Sequence, residues 1–206
     1  MAVPGRLNNL VDDDEIAERA EAFDGPSGEE AVPPELYALA DAAQSGDVDA
    51  LREAHRNYDG NINDPIEDGD TVLHLACLYG QLPCVQLLLE LRASLECKDE
   101  EGAIPLHDAC AGGFTEIAQY ILSFAANVDG CVTRMLNATD PEGDTPLHHA
   151  NRGEHLDVVK LLLEAGACPK KENVYGQAPA DMADQDTEVR TLLTVKQVEA
   201  ITHMSN

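Results

Sequence analysis

The chain has 206 residues, of which 44% are hydrophobic, 4% are aromatic and none is tryptophan. Its formal net charge of −26, from 39 acidic and 13 basic residues, disfavours nucleic acid and anionic lipid as partners, because like charges repel. No stretch reaches the roughly 18 apolar residues of a membrane span, and the N-terminus lacks the apolar segment of a secretory signal. We therefore expect a soluble, largely helical protein of the cytoplasm, the nucleus or both.

The first region in chain order, residues 1–32, is predicted to be an acidic and flexible tail. It carries nine acidic and two basic residues, and glycine and proline punctuate it. Such a composition is typical of a solvated segment. One alternative remains open, since DDDEIAERAEAF could form a short helix from near Asp14 that docks on the domain that follows.

Residues 33–206 are predicted to form one repeat domain. TVLHLACLYG begins at residue 71, IPLHDACAGG at 104, TPLHHANRGE at 145 and APADMADQDT at 178, which gives steps of 33, 41 and 33 residues. A weaker copy, LADAAQSGD, begins at Leu39. Threonine can cap a helix at the start of this motif, and proline fits the first helical turn. Five units follow from this register, at about 34–66, 67–99, 100–140, 141–173 and 174–206.

A 33-residue period that opens with TPLH resembles the ankyrin-repeat family. The matching second segments CVQLLLELRASLE, IAQYILSFAANVD and VVKLLLEAGACPK extend the resemblance from residue 34 to about residue 202. It implies an all-α solenoid of helix-turn-helix units joined by short β-turn fingers. The polar first unit and the last helix, with Val189, Leu192 and Leu193 inward, are expected to cap the stack.

Three histidines, His74, His107 and His148, occupy the same place in successive units. The resemblance implies that they are structural and hydrogen-bond neighbouring backbone. The cluster DTPLHHANRGEH is not predicted to bind metal, because its three histidine rings cannot share one helix face. The six cysteines contain no CxxC pair, and no catalytic or phosphate-binding motif occurs. We expect no enzyme activity, no metal and no cofactor.

Two irregularities interrupt the repeat. The 41-residue step adds eight residues between Phe124 and Leu136, where apolar spacing favours a continued helix but Gly130 favours a break. In the fourth unit, Glu154 stands where the earlier units have glycine, so a different turn is expected there.

The candidate binding surface combines the fingertips with the exposed side of the first helices, which the resemblance places on the concave face. All seven fingertip candidates are acidic: Glu67, Asp68, Asp70, Glu100, Glu101, Glu142 and Asp144. On the first helices the candidates are Leu78, Tyr79 and Arg152. A row of acidic fingertips beside an apolar centre suits a basic protein segment that carries an apolar anchor.

Two functional hypotheses follow for a monomeric protein of this design. In the first, the chain is an adaptor or dedicated chaperone for a basic protein. In the second, it inhibits, assembles or targets a folded enzyme complex of the kinase or proteasome type, as some short ankyrin proteins do. The first predicts binding that weakens with salt, and the second predicts binding that tolerates it.

Overall fold

The computed structural model describes the backbone of residues 32–204 and the side chains of residues 32–199. Apart from Val32, the predicted acidic tail and its alternative helix lie outside the described residues. Within them, every regular element is helical and no strand occurs. The expected all-α solenoid of helix pairs is confirmed. None of the helices in this described part is long and apolar enough to cross a membrane.

The helices follow one another in pairs, with one addition after the third pair. Their bounds are α1 (Pro34–Ser45) and α2 (Val48–Asn57), α3 (Val72–Leu78) and α4 (Leu82–Glu90), α5 (Pro105–Ala111) and α6 (Thr115–Ala125), the added α7 (Cys131–Asn137), α8 (Pro146–Arg152) and α9 (Leu156–Glu164), and α10 (Pro179–Met182) and α11 (Glu188–Met204). The first helices α1, α3, α5, α8 and α10 pack in that order, and the second helices α2, α4, α6, α9 and α11 form a parallel layer.

The repeated motif forms the same local structure in each central unit because each residue has one place in the stack. Proline occupies the first turn of α5, α8 and α10, where its missing N–H leaves no helical bond unmade. The leucine two residues after the motif begins, such as Leu106, is at most 1% exposed in α3, α5 and α8. The alanine three residues further on, such as Ala109, is fully buried there and lets neighbouring helices approach closely.

The turn in the fourth unit keeps the conformation of the earlier units, so the expected difference is wrong. Gly80 and Gly113 have φ of 73° and 71°, and Glu154 at the equivalent position has φ of 54°. A side chain in this left-handed region is strained by about 1–2 kcal/mol. Glu154 Oε1 accepts a hydrogen bond from the Asp184 amide at 3.0 Å, which links this turn to the next unit.

The eight-residue insertion breaks rather than extends the third unit's second helix. Helix α6 ends at Ala125, and Gly130 with φ of 68° turns the chain into α7. Cys131 and Met135 of α7 are buried, at 4% and 0% exposure. The guanidinium of Arg134 bonds both carboxylate oxygens of Glu96, at 2.8 and 3.0 Å. The insertion is therefore a packed element, joined to the second unit by a bidentate ion pair.

Candidate protein-binding surface

The fingers between units are held by short backbone bonds within and between them. Within the finger of the third unit, the Asp99 amide donates to the Ala103 carbonyl at 3.1 Å, and Asp99 Oδ1 accepts from the Ala103 amide at 2.8 Å. The amide of Glu100 donates to the Asp68 carbonyl of the preceding finger at 3.0 Å. These bonds fix successive fingertips side by side, so their side chains project from one row.

The histidines at the start of the first helices brace this row. Nδ1 of His74 accepts from the Thr71 amide at 3.1 Å, so the ring proton lies on Nε2, which is 3.4 Å from the Ala103 carbonyl of the next finger. His148 repeats both contacts, at 3.0 Å to the Thr145 amide and 3.3 Å to the Gln177 carbonyl. Burial lowers the pKa of both rings, which keeps them neutral for this bonding.

His107 makes only half of this pattern. Its Nδ1 accepts from the Ile104 amide at 3.1 Å, but Nε2 is buried without a hydrogen-bond partner. Burial, followed by the neighbouring His149, lowers its pKa to about 4. In the last unit Asp181 replaces the histidine, and its Oδ2 accepts from the Ala178 amide at 2.9 Å. The local bond to the helix start is thus kept even where the residue type changes.

Five of the seven fingertip carboxylates reach solvent. They come from three successive fingers, and no Lys, Arg or His pairs with them among residues 32–199: Glu67, Asp68, Glu100, Glu101 and Glu142. Glu67 also accepts a hydrogen bond from the Tyr37 hydroxyl at 3.0 Å. We refer to these five residues as the acidic rim.

The other two fingertip candidates differ from the rim. Asp70 is only partly exposed, and burial, together with the charges of Asp99, Asp68 and Glu101, raises its pKa to about 6. Its carboxylate is therefore less exposed than those of the rim and lies in a strongly negative field, where an added positive charge would be stabilised.

The structure corrects the prediction for Asp144, which was expected to be exposed and is fully buried. Its Oδ2 bonds the Arg152 guanidinium, and its Oδ1 accepts from Asn173 Nδ2 at 2.8 Å. Arg152 also departs from the expected picture, since its charge is already paired within the chain. This ion pair fastens the fourth finger to its own helix instead of presenting two free charges.

Leu78 and Tyr79 lie at the end of α3 and are 45% and 46% exposed. They line a groove of about 460 Å³ between the first two units, and Tyr37 of α1, at 43% exposure, also lines it. Glu67, Asp68 and Asp70 form its fingertip edge. Sequence comparison of the units missed Tyr37 because the first unit departs from the motif.

Two further features were not identified from the sequence. Asp108 on α5 has a buried Oδ2 without a partner, and burial, followed by the charges of Asp70 and Asp99, raises its pKa to about 8.

The last fingertip carries Val174 and Tyr175, which are 66% and 69% exposed. The row of fingertips therefore changes from acidic to apolar along the stack, a change that the letters VY in a turn could have indicated.

Two groups of acidic and histidine side chains have the spacing of a metal site, within 4.8 Å. They are Asp70, His74 and Asp99, and Asp140, Asp144 and His149. Both ring nitrogens of His74 already have partners, and His149 Nε2 contacts Asp140 Oδ2 at 2.8 Å. Asp144 is taken by Arg152 and Asn173. In both groups, potential ligand atoms already serve the fold.

Comparison with known proteins matches this architecture. The family model described as "Ankyrin repeats (3 copies)" matches residues 39–129, 96–173 and 122–199. Mouse protein phosphatase 1 regulatory subunit 27 is 35% identical over 89 residues, which are 43% of this chain and 58% of that protein. Human SMC5-SMC6 complex localization factor protein 1 is 34% identical over 134 residues, 64% of this chain and 12% of that protein.

A third relative, the Drosophila melanogaster ankyrin repeat and KH domain-containing protein mask, is 32% identical over 110 residues, covering 53% of this chain and 3% of that protein. The chain thus spans little more than half of the phosphatase subunits and a small part of the larger relatives. The stacked helix pairs, the bonded fingers and the family model, whose matches together cover residues 39–199, agree. The chain therefore belongs to the ankyrin-repeat family of protein-interaction modules.

Proposed function

We propose that the chain binds a basic protein through the acidic rim, as an adaptor or as a dedicated chaperone of that protein. The observation that carries this proposal is the row of five exposed carboxylates on three successive fingers, unpaired with any cation of residues 32–199. A formal net charge of −26 adds a long-range field of the same sign. Such a surface attracts a positively charged segment and repels competing nucleic acid.

The proposal assigns different roles to charge and to apolar contact. Exposed carboxylates steer and accelerate association, and salt screens them over about 8 Å at physiological ionic strength. Leu78 and Tyr79, both about half exposed beside the rim, supply the apolar contact that slows dissociation. In this function the chain acts without catalysis, as a monomer, in the cytoplasm or nucleus.

A second candidate function has one specific observation in its favour. The similarity to protein phosphatase 1 regulatory subunit 27 suggests that this chain could act as a regulatory or assembly subunit of a folded enzyme. Val174 and Tyr175 on the last fingertip would then contribute an apolar contact. Binding of this kind depends on shape complementarity and tolerates moderate salt.

Two charge variants with equal net charge test the first candidate. The rim variant carries E67Q, D68N, E100Q, E101Q and E142Q. The control variant carries E53Q, E90Q, E116Q, D129N and E164Q, which remove five exposed carboxylates of the second helices and the insertion. The probe is a 20-residue peptide of alternating lysine, arginine and leucine, and a glutamate-substituted peptide serves as its negative counterpart.

We expect the rim variant to bind the basic peptide at least about fivefold more weakly, mainly through slower association, because five surface charges contribute about 0.2–1 kcal/mol each. The control variant should change the affinity by less than threefold. Stopped-flow fluorescence at 50 and 300 mM salt separates the rates. Equal losses in both variants would mean that net charge, not the rim, attracts the peptide, and salt-independent association would favour the second candidate.

A further inference from the structure

We propose that the groove between the first two units is a receptor for one arginine side chain of the basic partner. This inference rests on the proposed function and adds to it the residue type that the partner inserts and the place where it binds. The groove is about 460 Å³, within the roughly 300–1,000 Å³ range of natural ligand sites. It lies between α1, α3 and the finger that joins the first two units.

Two tyrosines from different helices line this groove. Tyr37 projects from α1 and Tyr79 from the end of α3, and both side chains are nearly half exposed. The hydroxyl of Tyr37 donates to Glu67 Oε1 at 3.0 Å, which restrains the ring beside the acidic edge. Aromatic faces attract a cation within about 6 Å of the ring centre. The tyrosines therefore offer an apolar and electron-rich lining to a long cationic side chain.

Four carboxylates surround the same space: Asp41, Glu67, Asp68 and Asp70. Across residues 32–199, none of them forms an ion pair with a Lys, Arg or His of the chain. The pKa of Asp70 is raised by its own burial first, and then by the charges of Asp99, Asp68 and Glu101, so repulsion between carboxylates acts at this edge of the groove. A guanidinium in the groove would relieve this repulsion, whereas a carboxylate or phosphate would increase it.

The chemistry favours arginine over lysine. A planar guanidinium stacks on an aromatic ring and at the same time donates two parallel hydrogen bonds to a carboxylate. An ammonium group is a compact and strongly hydrated charge that satisfies only the electrostatic part. The combination of tyrosine rings with carboxylates in one groove therefore selects for the guanidinium.

The test uses the full chain and the pentapeptide acetyl-Gly-Leu-Arg-Leu-Gly-amide, followed by NMR chemical shifts. Two further peptides replace arginine with lysine or with citrulline, which has nearly the same shape but no charge. We expect the arginine peptide to shift the resonances of Tyr37 and Tyr79. Citrulline should bind at least tenfold more weakly, because it lacks the charge that strengthens the hydrogen bonds to the carboxylates. The lysine peptide should fall between the two.

Substitutions in the groove are compared with a matched tyrosine outside it. Y37L and Y79A should each weaken the arginine peptide two- to fivefold, the loss expected for an exposed cation–π contact. Y175A, on the last fingertip, should leave it unchanged. A peptide bound in the groove is too short to reach Tyr175. An extended pentapeptide spans at most about 18 Å, whereas three helix spacings of about 8–10 Å separate the second unit from the fifth. All three tyrosines are exposed, so the variants should remain folded.

The results distinguish this inference from the proposed function. Equal binding of the citrulline peptide, or shifts scattered over the surface, would overturn the arginine receptor. If the 20-residue basic peptide still required the acidic rim, the proposed function would stand without the arginine receptor. If neither peptide responded to its variants, both proposals would fail together.

Discussion

Replacement of Asn151 by cysteine is predicted to stabilise the fourth unit. Asn151 lies on α8 and is fully buried, and neither its amide nitrogen nor its amide oxygen has a hydrogen-bond partner. The equivalent positions of α3 and α5 hold Cys77 and Cys110, which are also fully buried. The fourth unit thus places an unsatisfied amide where its neighbours use a small, nearly apolar side chain.

The expected gain follows from the two unmade bonds and the change in size. Leaving a buried polar group unsatisfied costs about 1–3 kcal/mol. Cysteine has two fewer heavy atoms in its side chain than asparagine, so a small cavity offsets part of the gain. We expect Asn151→Cys to raise the free energy of unfolding by about 1–2 kcal/mol. For a domain of this size the melting temperature should rise by about 2–8 °C.

Urea unfolding followed by circular dichroism measures this change, with thermal melting as a second measurement. The reverse variant, Cys110→Asn, is the matched control, because it introduces the same amide at the equivalent position of α5. It should lower the free energy of unfolding by at least about 1 kcal/mol. If Asn151→Cys were neutral or destabilising while Cys110→Asn behaved as expected, the Asn151 amide would have a partner, such as a buried water, and the reasoning would be wrong.

Two further predictions concern burial and backbone strain. Because burial raises the pKa of Asp108 from 3.8 to about 8, its contribution to stability is complete below pH 4 and is lost as the pH rises towards 8, by up to about 1.4 kcal/mol per pH unit. Asp108→Asn should flatten this decline in the free energy of unfolding, measured by urea titrations between pH 5 and 8. The exposed control Asp59→Asn should retain the decline. Identical slopes against pH in the two variants would refute the assignment. Gly80 and Gly176 have φ of 73° and 72°, but a Cβ at Gly80 would lie 2.5 Å from Phe114 Cε1, whereas nothing lies within 4 Å at Gly176. Gly176→Ala should therefore cost about 1–2 kcal/mol from strain alone, and Gly80→Ala should cost at least 1 kcal/mol more from overpacking; equal melting temperatures would count against the Phe114 contact.

Which fingertip carboxylates belong to the acidic rim depends on the side chains that neighbouring elements of the same chain place beside them. This could not be predicted from position in the repeat. Asp70 and Asp144 occupy equivalent places in their units, just before the helix-capping threonine. Asp70 remains partly exposed, but Asp144 is buried because Arg152 and Asn173 reach it from other elements. The partner of a fingertip residue is contributed up to a full repeat away, so one unit's sequence does not reveal it.

The sequence by itself determined the period, the fold class and the equivalent positions in each unit. It could do so because a solenoid unit contacts mainly its neighbours, and the same residue types meet the same neighbours in every repeat. The tertiary structure alone decided that the insertion breaks at Gly130, that Glu154 adopts the strained turn of a glycine, and that Tyr37 reaches Glu67 across 30 residues. These outcomes depend on side-chain packing between units, where burial and an available hydrogen-bond partner outweigh local preference.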